Sequence, residues 1–431
     1  MIITKTPFRM SFFGGGTDME SFFREYGGAV LSTTFDKYCY VNVRHLPPFF
    51  SYATELSYAK TERVNSLEEI EHPAIRNAMK MLDMHHIRLT YEADLPARSG
   101  LGTSSSFAVG MLNAFYALKG QYASKEKLAK EAIYLERVLC AEVGGWQDQI
   151  AAAFGGFNRI DFSADGYEVR PVLLSPERKR RLNGRLMMFF TGFTRFSAEI
   201  QQLNNSRNGA DKLARLQEML ALVDEAEAIL TDEQADLNEF GRLLDHTWKL
   251  KRGTGVAVST DCIDALYARG IAAGALGGKL LGAGGGGFLV FYVEPEHQAA
   301  VRQQRLRELS AIGRRGNLRV CAEYQLFAVM PLFPRSSFTH RQAAMRTDHP
   351  QRGNRFEALR GMRQHVCGGQ QPGEILPRLR GKDTPQTESP KREKQAFTDK
   401  NNYIASTANE YPFARNARAA LWEARAFCLL G

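Results

Sequence analysis

Several things are missing from this 431-residue chain. No apolar run reaches the ~18 residues that a membrane-spanning helix needs. No apolar segment accompanies Lys5 and Arg9 near the start, so a secretory signal is not expected and the cytoplasm is the expected compartment. Cysteine is sparse. Cys39, Cys140, Cys262, Cys321, Cys367 and Cys428 stand far apart with no CxxC pair, which suits neither a zinc site nor a disulfide framework and leaves reduced thiols. No GxxxxGK-S/T sequence occurs, which excludes a P-loop. A basic body is missing too. The net charge is +9, but 17 of the 56 Lys and Arg and only 9 of the 47 Asp and Glu lie from Arg335 onward. The first 334 residues are therefore close to neutral, and neither nucleic acid nor a membrane is the expected partner.

What is present is ordinary for a globular protein of two or three domains, with 44% apolar residues. Residues 1–180 read as a mixed α/β domain, with strands expected at Tyr38–Arg44 and Ile87–Glu92 and helices at Ser66–Leu82, Ser104–Leu118 and Ser124–Cys140. A basic, polar stretch at Ser175–Arg185 marks a junction. Residues 181–334 form a second unit, with strands at Leu186–Thr191 and Phe288–Val293 and helices at Asp211–Thr231, Asp236–Lys251 and Asp261–Arg269. Residues 335–431 are rich in Pro, Gln, Arg, Lys and Thr and poor in apolar periodicity, so a basic tail of low order is expected there. A nucleic-acid arm is the weaker reading of that tail.

The stretch Leu95-Pro-Ala-Arg-Ser-Gly-Leu-Gly-Thr-Ser-Ser-Ser106 carries the most chemistry. Gly100 and Gly102 let the backbone turn tightly against a ligand. Thr103, Ser104, Ser105 and Ser106 lead into a helical stripe of Phe107, Met111, Ala114, Phe115 and Leu118. A helix start of this kind binds anions through its free N–H groups and positive dipole end. Hydroxyls placed there can reach a metal ion held by phosphates. An ordinary helix cap serving a core helix explains the same residues.

Three further groups each admit two readings. Gly14-Gly15-Gly16-Thr17-Asp18 is either a tight turn with a helix cap or a turn that offers Asp18 to polyol hydroxyls. Glu136 lies on the apolar side of an expected helix, where a carboxylate must be paired or bound to metal. It is followed by Gly144-Gly145-Trp146-Gln147-Asp148-Gln149, which places Asp148 at a helix start, as a cap or as a base. Gly277-Gly278-Lys279-Leu280-Leu281-Gly282-Ala283-Gly284-Gly285-Gly286-Gly287 formally contains GxGxxG. The dinucleotide reading fails, because that fingerprint needs a strand before it and a helix after it, and here a helix is expected before and a strand after. The loop instead passes close to another backbone or closes over a nucleotide.

In this order the groups resemble the GHMP kinase superfamily. Leu95–Ser106 is similar to its Pro-x-x-x-Gly-Leu-Gly-Ser-Ser motif, with Thr103 in the first Ser position, and the 277–287 loop is similar to its third motif. Pro7-x-Arg9, Gly-Gly-Gly-Thr-Asp and Val143-Gly-Gly-Trp-Gln-Asp-Gln149 resemble most the branch acting on D-glycero-D-manno-heptose 7-phosphate. The resemblance covers about residues 1–330. It implies an α+β fold of two domains, an N-terminal ribosomal-protein-S5-like ATP-binding domain and a C-terminal ferredoxin-like domain. It implies phosphoryl transfer from ATP, with Mg²⁺, to the anomeric hydroxyl of a sugar phosphate. Pro96, Ser99, Gly100, Leu101, Gly102, Thr103, Ser104, Ser105, Gly282 and Gly284 would hold the nucleotide, and Ser104 and Glu136 the metal. Asp148 would take the hydroxyl proton, with Arg9 beside it keeping it ionised. Gly16, Thr17 and Asp18 would meet the sugar. A substrate that already carries phosphate needs a cationic pocket, for which Arg98, Arg195 and Lys279 are the candidates, each equally well read as a solvated charge.

Overall fold

Strand β1 (Ile2–Phe13) sets the frame for everything that follows. Its first half alternates between exposed and buried residues, and from Phe8 to Phe13 it is buried on both faces. It pairs antiparallel with β2 (Gly28–His45), and the register slips between Pro7 and Arg9 and again between Ser11 and Phe13. Such irregularities bend a strand and re-aim its side chains. Here they bracket Arg9. The computed structural model describes residues 1–192, 209–255 and 257–304, all within the unit Met1–Ser337. The tail expected at 335–431, and Arg195, lie outside the described residues.

Around β1 and β2 a seven-stranded sheet forms in the order β4-β3-β5-β2-β6-β7, with β1 added on β2. Its other strands are β3 (Thr54–Ser57), β4 (Thr61–Val64), β5 (Ile87–Ala93), β6 (Phe157–Ser163) and β7 (Gly166–Pro171). Only β3 and β5 run parallel. The helices of this half are α1 (Glu20–Tyr26), α2 (Pro73–Met81), α3 (Thr103–Leu118), α4 (Lys125–Ile133), α5 (Gln147–Phe154) and α6 (Pro176–Arg185). Helix α3 is buried along most of its length, and Phe107, Met111, Leu112 and Phe115 join Phe8, Phe12 and Leu101 in the main core. Each such side chain contributes about 1.5–3 kcal/mol when fully buried.

A second sheet has the order β8-β10-β9, all antiparallel, from β8 (Leu186–Phe190), β9 (Ala275–Leu280) and β10 (Phe288–Val293). Helices α7 (Ala210–Thr231), α8 (Asn238–Arg252) and α9 (Asp261–Ala272) accompany it. The two parts share a core. Met219, Leu222 and Val223 of α7 join the main apolar cluster, and Phe240 of α8 meets Phe12 and Phe13 edge-on at 5.4 and 5.2 Å between ring centres. The expected mixture of helices and strands is therefore present.

Three expectations change. The helix expected over Ser66–Leu82 begins only at Pro73, whose ring suits a helix start and not an interior. The helix expected over Ser124–Cys140 is α4 followed by a π-helix at Tyr134–Leu139. The 277–287 segment begins inside β9 rather than at the end of a helix. Its first four residues are strand, and Leu281–Gly287 is the connection of the β9–β10 hairpin.

Candidate functional site

The α3 start is where the two readings of the sequence part. Its cap is Gly102, in the left-handed region at φ 70°, and no side chain accepts a hydrogen bond from the first turn. The hydroxyls that could have capped it point elsewhere. Ser104 Oγ donates to Glu136 Oε1 at 2.7 Å and Ser105 Oγ donates to Glu136 Oε2 at 2.7 Å. Ser106 Oγ donates to the Pro7 carbonyl at 2.9 Å. A helix leaves its first N–H groups without intrahelical partners, so this end stays open to an anion. The loop before it is held against β1, since Arg9 N–H donates to the Leu101 carbonyl at 3.0 Å. Within the loop, Ser99 and Leu101 are fully buried, Pro96 is exposed, and Thr103 is buried at the helix start. Arg98 is exposed and holds φ at 60°.

Glu136 sits in the π-helix with 1% of its surface exposed. Single π turns collect at functional sites, and this one presents the carboxylate to α3 and α5 together. Besides the two serines, Gln149 Nε2 donates to it from α5. The same amide leaves its own Oε1 buried with no partner. The Glu136 carboxylate and the Ser104 hydroxyl 2.7 Å from it form a hard-oxygen donor set. That set fits Mg²⁺, which usually takes one or two carboxylates and completes its shell with water and phosphate oxygens.

Arg9 and Asp148 are 139 residues apart in sequence and directly paired in space. Arg9 Nε donates to Asp148 Oδ1 at 2.8 Å and Nη2 donates to Oδ2 at 2.7 Å, while Nη1 donates to the Gly100 carbonyl at 2.6 Å. Arg9 is 4% exposed and Asp148 26%. The arginine is thus a buried clamp between the anion loop and a carboxylate that still faces outward. Asp148 lies in the first turn of α5, yet its side chain serves Arg9 rather than its own helix.

The Gly-Gly-Gly-Thr-Asp turn is folded inward. Thr17 is fully buried, and its hydroxyl bonds the Gly14 and Ala29 carbonyls at 2.8 and 2.9 Å and accepts from Ala29 N–H at 3.2 Å. That hydroxyl therefore serves the backbone of its own turn and of β2. Asp18 is 3% exposed and accepts from the N–H groups of Gly16 at 2.8 Å and Gln147 at 3.4 Å. Its carboxyl is raised above the usual range, first by burial and also by the Asp148 charge. It fastens the turn to the start of α5 instead of reaching into solvent. Lys279 also turns inward. It is 1% exposed and its Nζ donates to the Phe12 carbonyl at 2.7 Å, so it is not a surface cation, and burial pulls its proton affinity well down.

The second glycine loop meets the first backbone to backbone. A methyl group on Gly282 would lie 2.4 Å from Gly100 Cα, and one on Gly287 would lie 2.2 Å from the Ser99 carbonyl oxygen. Gly284 takes φ 113° in the same loop. Lys251, at the end of α8, donates through Nζ to the Gly282 carbonyl at 2.5 Å. Nothing in the sequence singles it out, because Lys249 and Arg252 stand beside it and cations are common in a last helical turn. Gln149 was also missed in its role at Glu136, although it closes the Trp-Gln-Asp-Gln motif.

The arrangement can hold an anion on α3, a hard cation at Ser104 and Glu136, and a hydroxyl at Asp148. Residues 69–156 match the GHMP kinases N terminal domain, and residues 226–311 match the GHMP kinases C terminal family. The chain is 31% identical over 318 residues to D-glycero-alpha-D-manno-heptose 7-phosphate kinase of Campylobacter jejuni, covering 68% of this chain and 90% of that one. It is 32% identical over 232 residues to L-fucokinase/L-fucose-1-P guanylyltransferase of Bacteroides fragilis, spanning 51% of this chain but 23% of that longer protein. In structure it is similar to a D-glycero-D-manno-heptose 1-phosphate kinase from Bacteroides thetaiotaomicron, with a TM-score of 0.58, 25% identity, and coverage of 72% of this chain and 93% of that one.

Proposed function

The chain belongs to the GHMP kinase family and is an ATP-dependent sugar kinase, and from that premise we propose that it phosphorylates the anomeric hydroxyl of D-glycero-D-manno-heptose 7-phosphate to give the 1,7-bisphosphate. The observation that carries the chemistry is the Arg9–Asp148 pair, anchored to the Gly100 carbonyl beside an uncapped helix start. The similarity to a heptose 7-phosphate kinase over 90% of its length supports the choice of sugar.

In phosphoryl transfer a protein mainly positions the reactants and offsets charge. The α3 N–H groups, with Gly100, Leu101 and Gly102, cradle the nucleotide phosphates, and the 282–287 loop closes the other wall. Ser104 and Glu136 would hold Mg²⁺, which supplies charge neutralisation at the phosphates when bound. Asp148 has both oxygens in the arginine fork, but a carboxylate offers about four lone-pair sites. One of those left over accepts the proton of the acceptor hydroxyl. Arg9 fixes the direction of that lone pair. Thr17 and Asp18 serve the sugar indirectly, by setting the turn that seats α5, while Gly16 and Gly15 present backbone at its edge. Arg98, on the anion loop, is the exposed candidate for the phosphate already on the substrate.

The test is an ADP-release assay on a panel of sugars with ATP and Mg²⁺. Turnover is expected with heptose 7-phosphate and to be far weaker with free fucose, galactose or mannose. A preference for unphosphorylated fucose, in line with the similarity to the Bacteroides fragilis protein, would replace the acceptor and leave the kinase chemistry standing.

A further inference from the structure

Beneath the Arg9–Asp148 pair lies a cluster whose charges do not balance. Arg9 from β1, Lys251 from α8 and Lys279 from β9 are the cations. Asp18 from the glycine turn and Asp148 from α5 are the carboxylates, and all five are close enough to act on one another electrostatically. The Asp148 charge is matched by Arg9 in the bidentate pair. Asp18 is committed to backbone N–H groups, and burial shifts it toward its neutral form. Lys279 is turned away onto the Phe12 carbonyl, and burial beside Lys251 and Arg9 favours its neutral form. Of the three cations, Lys251 is the one whose described hydrogen bond goes to the second glycine loop.

The position of that ammonium is well defined. Its described hydrogen bond goes to the Gly282 carbonyl, and Gly282 lies directly on Gly100 of the anion loop. Gly100 in turn accepts from Arg9. Lysine carries three donors, and one is used here among the described residues. Lys251 is half-buried, so its remaining donors stay within reach of an anion brought to the glycine loops. From this juxtaposition we propose that Lys251 is a catalytic residue that binds the phosphoryl group in flight between ATP and the acceptor hydroxyl.

The proposal rests on the sugar-kinase reading, with Asp148 as the proton acceptor. The hydroxyl oxygen attacks the γ-phosphorus, and a new O–P bond forms as the bond to the β,γ-bridging oxygen breaks. The hydroxyl proton goes to Asp148, and ADP leaves with the bridging electron pair. Arg9 is committed to Asp148 and Gly100, so charge on the equatorial oxygens is left to the Lys251 ammonium, which is near enough to both Arg9 and Asp148 to feel their charge. The phosphate already carried by the substrate lies at the far end of the sugar chain from the attacked hydroxyl, so it is not the group this lysine meets. Burial, together with Arg9, pulls the Lys251 ammonium down to about 8, against the partial support of Asp18 and Asp148. Its charge is therefore present below that pH and lost above it.

The experiment compares wild type, Lys251→Met and Lys251→Arg by ADP release, with kcat and both KM values followed from neutral to alkaline pH. Lys251→Met is expected to lose about 10²-fold in kcat, the scale for one donor aimed at developing charge, with little change in either KM. Wild type is expected to lose kcat above pH about 8, and Lys251→Arg to keep substantial activity while losing that alkaline decline. A Lys251→Met protein with wild-type kcat, or one in which only the acceptor KM rises, overturns the proposal. So does an alkaline decline that persists unchanged in Lys251→Arg. If the methionine variant does not fold, the arginine profile decides alone. If wild type prefers a different sugar, the acceptor assignment fails while the lysine is still tested with the sugar that works.

Discussion

Asp148 can serve an acceptor hydroxyl only while one lone pair stays outside the arginine fork. Its 26% exposure beside a 4% exposed Arg9 meets that condition. Asp148→Asn keeps the size and removes the base. It is expected to lower kcat by about 10²-fold or more while nucleotide binding, read by titration with ATP, persists. The same change leaves Arg9 with an amide in place of a carboxylate, so the melting temperature is expected to fall as well, and turnover has to be read on protein that is still folded. Turnover near that of wild type would remove Asp148 from the chemistry. At this scale the sequence was informative about identity and poor at direction. Ser104, Glu136, Asp148 and Arg9 stand out by residue type and motif. The same signals pointed to Thr17, Asp18 and Lys279 as ligand groups, yet these three turn toward backbone carbonyls and N–H groups. A short polar side chain beside glycines reads the same whether it faces solvent or a neighbouring turn.

Among the elements, the start of α5 depends on a contact that only glycine allows. A methyl on Gly145 would lie 1.8 Å from Asp18 Oδ2, the oxygen that accepts from Gln147 N–H. Gly145→Ala therefore forces either Asp18 or the whole turn aside. Overpacking of this kind costs about 1–3 kcal/mol. We expect a melting temperature lower by several degrees, by calorimetry, together with reduced kcat, because Asp148 is the second residue of that helix. A variant with unchanged melting and turnover would show that the latch is dispensable. Helix α3 was legible from its apolar spacing almost to the residue. The π-helix at Tyr134–Leu139 was not, because the extra residue per turn changes where Glu136 faces without changing the composition of the segment. The strand at Ala275–Leu280 was missed for a related reason: two glycines and a lysine carry no strand signal, and the sheet forms because β10 pairs with them.

In the molecule as a whole the site is a junction. The anion loop belongs to the part built on the seven-stranded sheet, the second glycine loop to the β9–β10 hairpin, and they touch where neither has a side chain. Gly282→Ala places a methyl 2.4 Å from Gly100 Cα at a residue whose φ is 75°. The two walls must then separate. We expect kcat/KM for ATP to fall by up to about 10²-fold, the usual penalty of a misplacement near 1 Å, in steady-state assays at varied ATP; unchanged kinetics would mean that the loops do not close on the nucleotide. No described helix is long and apolar enough to cross a membrane, in keeping with a body of near-neutral charge. The sequence by itself determined the inventory: an anion loop ahead of a helix, a buried carboxylate, a base candidate and a second glycine loop, in family order. Chemistry follows from residue type, and local structure from apolar period. Only the tertiary structure decided which of these meet. Arg9 reaches Asp148 across 139 positions, Lys251 holds the Gly282 carbonyl, and Asp18 turns inward. Those pairings are set by strand register, by backbone contact at glycine and by the need to satisfy every buried charge, and none of these is local to a stretch of sequence.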